Sequence, residues 1–189
     1  MGKKINYVFD TEKPHLGGNF ACLNPATHCP PAWDYVIKKY NVRSVLDVGS
    51  GQGHAPRWFA DQGMETYAIE GLKENVDNAI FSTELVDLTE RAYTRDVDMV
   101  NCIEVVEHIE EQYLDNLLTT ICSGRLLFMT HAVPGQKGYH HVNCQTTVYW
   151  EQHLAARGFD PSPADTAEIQ RLAVDCKHIR ETGMLFIRR

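Results

Sequence analysis

Seven consecutive positions, Asp47-Val48-Gly49-Ser50-Gly51-Gln52-Gly53, carry the most specific chemistry in this sequence. An apolar run, Ser44 to Val48, leads into three glycines spaced by two. Glycine lets the backbone turn tightly and lets a ligand approach without a Cβ in the way. The spacing is G-x-G-x-G, not the G-x-G-x-x-G of dinucleotide enzymes. A carboxylate at Asp47, just before the loop, opposes a pyrophosphate through like-charge repulsion. It suits a cofactor that carries an ammonium and a sulfonium but no phosphate. Glu70 closes the next apolar run, where an acidic side chain can accept from both ribose hydroxyls. Asp87, at the end of the run after that, is placed to accept from an adenine amino group.

A second constellation follows in Asn101-Cys102-Ile103-Glu104-Val105-Val106-Glu107-His108. On a helix, positions i, i+3 and i+4 share a face, so Glu104, Glu107 and His108 are expected to point the same way. Converging carboxylates repel one another unless something positive lies between them. Hard oxygen ligands suit magnesium or manganese. Further on, His131 and the pair in Gly138-Tyr139-His140-His141-Val142-Asn143 follow the fifth predicted strand, a loop position suited to substrate contact. One of His131, His140 and His141 is expected to act in catalysis, because imidazole titrates near ~6.5.

These groups need a scaffold, and the hydrophobic pattern supplies one. Strands are expected over Ser44–Val48, Glu65–Glu70, Ser82–Val86, Asp98–Ile103, Arg125–Thr130 and Met184–Arg188. Helices are expected over Ala32–Tyr40, with Pro31 near the start, and over His54–Gln62, Leu72–Asn78 and Thr146–Arg157. Another is expected from the end of the fourth strand through Ile121. Such alternation predicts an α/β fold, Rossmann-like and doubly wound, in a single domain: a mostly parallel sheet with helices on both faces. Ligands in such sheets bind at the carboxyl ends of the strands. Residues 1–30 show no sustained period and read as an N-terminal arm or lid, carrying Tyr7, Phe9, His15, Phe20 and His28. The domain proper then runs from 31 to 189. His54 reads as a solvated or capping residue, and Tyr149 and Trp150 as packing of helix on sheet.

Composition narrows the classes. The chain has 189 residues, 43% hydrophobic and 23% charged, which fits one soluble domain. No apolar run approaches the ~20 residues of a membrane helix, and the start lacks a signal-peptide core, so a cytoplasmic protein is expected. Six cysteines, Cys22, Cys29, Cys102, Cys122, Cys144 and Cys176, are scattered without a C-x-x-C pair, which argues against a zinc ribbon. The net charge of −7 disfavours nucleic acid as a partner, since the basic groups (Lys3-Lys4, Lys38-Lys39, Arg188-Arg189) are small.

From about Ala32 onward the arrangement resembles the class I methyltransferase family, which uses S-adenosylmethionine. The resemblance implies a cofactor site of Asp47, Gly49, Gly51, Gly53, Glu70, Asp87, Leu88 and Cys102. The E-x-x-E-H stretch is similar to that of ubiquinone-biosynthesis O-methyltransferases and of small-RNA 2′-O-methyltransferases. The latter implies a later histidine as fourth ligand beside Glu104, Glu107 and His108. His140 and His141 both qualify, and His141 is carried forward. The expected activity is O-methylation of a small-molecule or sugar-like acceptor. A terminal RNA 2′-O-methyltransferase and a non-catalytic cofactor-binding subunit are the alternatives. Oligomeric state is not legible in the sequence.

Overall fold

The computed structural model describes residues 7–189, with Tyr7, Asn19 and Phe20 described by backbone alone. Lys3-Lys4 and the side chains of Tyr7 and Phe20 therefore lie outside the described residues. An antiparallel hairpin, β1 (Tyr7–Phe9) and β2 (Gly17–Phe20), comes first. Next come α1 (Pro30–Tyr40), β3 (Ser44–Val48), α2 (His54–Asp61), β4 (Glu65–Glu70), α3 (Lys73–Asp77), β5 (Glu84–Leu85) and β6 (Val97–Cys102). After two short 3-10 turns, Val106–His108 and Glu111–Tyr113, the chain forms α4 (Leu114–Ile121), β7 (Gly124–Met129) and α5 (Thr147–Ala156). It continues with β8 (Phe159–Pro161), α6 (Pro163–Leu172), α7 (Lys177–Thr182) and β9 (Met184–Arg188).

Seven strands form one sheet in the order β5-β4-β3-β6-β7-β9-β8. The first five are parallel, and β9 runs antiparallel between β7 and β8. The chain reverses direction across the sheet between β3 and β6, which opens a crevice at their carboxyl ends. Successive strand residues point to opposite faces, and the core divides accordingly. Val45, Met99, Leu126, Phe128 and Leu185 pack with α1, α2, α6 and α7. Leu46, Val100, Leu127, Met129 and Phe186 pack with α4 and α5. Trp33 and Trp150, both fully buried, anchor the two layers, and side chains of this kind contribute about 1.5–3 kcal/mol or more each. Among the described residues no helix is long and apolar enough to cross a membrane.

Three expectations change. The third strand of the main sheet is Glu84–Leu85 alone, because it lies at the sheet edge with both residues exposed and pairs only with Ile69 and Glu70. The helix expected directly after the fourth strand begins at Leu114, because Glu104 takes a left-handed conformation (φ 56°) that a helix cannot contain. The arm holds a hairpin where no regular structure was expected. Pro30 and Pro31 sit in the first turn of α1, where a missing N–H costs nothing.

Asp165 ties α6 to α1. Its buried carboxylate accepts from the Tyr35 and Tyr40 hydroxyls at 2.6 Å each, and from Lys39 and Ser162. These donors outweigh burial and hold its pKa well below the usual range. Asp165→Ala should lower stability in urea unfolding by about 1–2 kcal/mol, since the Tyr35 and Tyr40 hydroxyls lose their acceptor while the half-exposed Lys39 returns to water.

Candidate functional site

The carboxyl ends of β3, β4 and β6 and the overlying arm enclose a cleft of about 380 Å³. The glycine loop forms its floor. Gly49 has φ 68°, and a Cβ there would fall 2.4 Å from Val105 Cγ2, so only glycine fits. Gly53, with φ 82°, caps α2.

Asp47 ends almost wholly buried. Asn101 Nδ2 donates to its Oδ1 at 2.5 Å, and Trp33 Nε1 donates to Asn101 Oδ1 at 3.1 Å. Burial pushes its pKa up to about 7 despite the Asn101 bond. Glu70 is also buried, and accepts from the Gly51 and Leu72 amides at 2.8 Å each. Burial still leaves its pKa above the usual value.

Leu88 lines the cleft, whereas Asp87 and Cys102 do not. The Asp87 carboxylate accepts from Thr89 N–H (2.9 Å) and Oγ1 (2.7 Å), and from Lys13 Nζ and His15 Nε2 at 3.1 Å each. Burial works to raise its pKa, but these donors prevail and bring it to about 2. Asp87 thus holds the arm down instead of facing the cleft. Cys102 is fully buried in the apolar layer beneath, which raises its thiol pKa well above the usual value.

Glu104, Glu107 and His108 meet without the helix expected to align them. Glu104 Oε1 accepts from Thr130 Oγ1 at 2.9 Å, and its Oε2 lies 2.8 Å from His178 Nδ1. The His178 contact and Thr130 overcome burial and keep Glu104 below its usual pKa. The same contact raises His178 above its own. Glu107 is fully buried, with neither oxygen partnered among the described residues. Burial first, and then the Glu104 charge, push its pKa well above the usual value.

The amides of Val142 and Asn143 donate to the Glu107 carbonyl at 3.0 Å, which seats the following loop over this residue. His141 is thereby brought beside His108, with ring centroids 5.1 Å apart. Ligand atoms of Glu107, His108 and His141 all lie within 4.8 Å of one another. Burial and the His141 charge bring His108 down to about 4. His131 turns away to Thr147 Oγ1 at 3.2 Å, and His140 to Glu110 at 3.4 Å, so neither lines the cleft.

Two residues of the cleft wall escaped sequence reasoning. His178 lies on α7, whose one buried apolar residue, Ile179, leaves no periodic signal. His54 lines the cleft, although it reads as a solvated or capping residue in the sequence.

The chain belongs to the methyltransferase-domain family, whose pattern matches residues 36–171. It is 33% identical over 122 residues to the ubiquinone biosynthesis O-methyltransferase of Rickettsia typhi, covering 55% of this chain and 49% of that protein. The chain spans about half the length of the curated relatives it matches. A magnesium protoporphyrin IX methyltransferase from Synechocystis PCC 6803, solved with S-adenosylmethionine, has a TM-score of 0.60 at 15% identity, covering 84% of this chain and 76% of that one. A S-adenosylmethionine-dependent methyltransferase from Archaeoglobus fulgidus gives 0.58 at 16%, covering 82% and 90%. These two establish the shared fold. Family and fold together define a class I, S-adenosylmethionine-dependent methyltransferase domain, and the cleft is the candidate site for that cofactor.

An ammonium placed beside Asp47 would favour the ionised carboxylate, so cofactor binding there should drive off its proton below pH ~7. Affinity for S-adenosylhomocysteine should rise with pH up to about 7 and then level off. Calorimetry in buffers of different ionisation heat should find close to one proton released at pH 6 and few at pH 8.5. Asp47→Asn should abolish this dependence.

Proposed function

We propose that this domain transfers the methyl group of S-adenosylmethionine to a hydroxyl of a small acceptor, with a divalent cation held by Glu107, His108 and His141. The observation that carries the reading is Glu107, a fully buried carboxyl with neither oxygen hydrogen-bonded among the described residues. The Nδ1 atoms of His108 and His141 beside it are also buried and without a partner among the described residues. A carboxyl left this way holds its proton, as its raised pKa shows, until a cation compensates the ionised form. One carboxylate with two imidazoles suits a borderline divalent cation such as manganese, iron or zinc, and magnesium, which prefers oxygen ligands, fits it less well. When bound, the cation would lower the pKa of the acceptor hydroxyl.

The protein's own contribution is alignment. Methyl transfer from a sulfonium is an in-line displacement, so the site gains most by fixing the nucleophile opposite the methyl and excluding water. Glu104, held by His178 and Thr130, forms the wall of this end of the cleft. His141 is the candidate among the three later histidines that faces the cleft. Its place beside Glu107 makes it a ligand in this reading, with His131 and His140 positioning the loop. A small acceptor accords with the net charge of −7 and with the name of the ubiquinone-biosynthesis relatives.

Glu107→Gln tests this. Turnover should fall about 100-fold or more while S-adenosylhomocysteine affinity stays within about threefold. The variant should also be about as stable as the parent without metal, because a neutral amide replaces a buried carboxyl whose raised pKa keeps it protonated. Chelation should mimic the variant, with recovery on adding manganese. Full activity of Glu107→Gln would refute the assignment.

A further inference from the structure

His28 and His54 take no part in the chemistry above, yet both line the cleft together with Asp47 and the glycine loop. His28 lies in the arm two residues before α1, and its ring meets Trp33 edge-on with centroids 4.9 Å apart. Trp33 donates to Asn101, and Asn101 donates to Asp47. One ring contact and two hydrogen bonds therefore link His28 to the carboxylate at the ammonium end of the cleft. His54 follows Gly53 directly and opens α2, where the helix dipole adds positive partial charge.

Two buried polar atoms in this wall lack a partner among the described residues, His28 Nδ1 and Ser50 Oγ. The rings are near enough that charge on His54 opposes charge on His28. Burial lowers the pKa of both. Buried donors without acceptors are uncommon in folded proteins and call for a ligand. Imidazoles crowded against a cleft are answered best by an anion.

The chemistry of the cofactor supplies that anion. In its methionine part the ammonium and the carboxylate are attached to one carbon. The carboxylate must therefore lie beside the ammonium that Asp47 meets, yet Asp47 itself repels it. We propose that His28 and His54 bind the α-carboxylate of the cofactor's methionine part, with His28 donating through Nδ1. This inference rests on S-adenosylmethionine as the cofactor. It makes an arm residue part of the cofactor site, so docking of the arm and retention of the methionine part become one event.

The test compares two ligands on the wild type, His28→Phe and His54→Ala. S-adenosylhomocysteine carries both charged groups, and S-adenosyl-3-thiopropylamine keeps the ammonium but lacks the carboxylate. Calorimetry should show each substitution weakening S-adenosylhomocysteine roughly 10- to 100-fold. Affinity for the thiopropylamine should stay within about threefold, which also certifies the fold. His28→Phe keeps a ring against Trp33, and His54→Ala removes a side chain from a helix end, so the two carry different structural risks. Equal loss of both ligands in both variants, or no loss of either, would overturn the assignment. A wild type that binds neither ligand would instead remove the cofactor reading itself.

Discussion

Taking a carboxylate out of water costs several kcal/mol unless partners replace its hydration. This chain does so at Asp47, Glu70 and Glu107, all at the carboxyl ends of parallel strands or just beyond. The three are compensated to different degrees. Glu70 has backbone amides on both oxygens, Asp47 has the Asn101 side chain, and Glu107 has no donor on either oxygen among the described residues and faces the Glu104 carboxylate. That gradient underlies the three tasks we propose for them: holding the loop and ribose, meeting an ammonium, and meeting a metal ion. The tension between burial and charge is what the ligands relieve, and it explains why the pKa values of all three are raised.

The fold exists around this edge. Parallel strands covered on both faces leave their ends as the one place where polar groups can converge. The backbone there departs from ordinary conformations: Gly49 and Gly53 adopt positive φ, and so do Glu104 and His140, which are not glycines. Non-glycine residues held left-handed cost of order 1–3 kcal/mol each and cluster at functional sites. The arm and the loop after β7 close over this edge together. Tyr139 packs on Phe9 with centroids 5.5 Å apart, and its hydroxyl reaches the Asp10 carbonyl at 3.3 Å.

Strands with a continuous apolar pattern were legible residue for residue, as in Ser44–Val48, Glu65–Glu70 and Met184–Arg188. Elements with little apolar surface were not. In α6 the buried residues are Asp165 and Ile169, and in α7 Ile179 alone, so neither shows a period. The 3-10 turn at Val106–His108 was hidden for another reason, since i, i+3, i+4 spacing reads as a helix whichever backbone carries it. Convergence of Glu107 and His108 arises from a left-handed turn at Glu104, which residue types do not announce. His178 and His28 come from elements distant in sequence, and only the fold brings them to the cleft.

The central proposal is that the cofactor's methyl group meets a metal held by His108 and His141, which line the cleft, and by Glu107, buried just behind its wall. The most direct measurement is proton relaxation of the S-methyl group in the protein–S-adenosylmethionine complex as paramagnetic manganese is added. The account predicts strong, saturable broadening of that signal, lost on adding excess zinc or in Glu107→Gln. Broadening no greater than in Glu107→Gln, with cofactor bound in both, would contradict it.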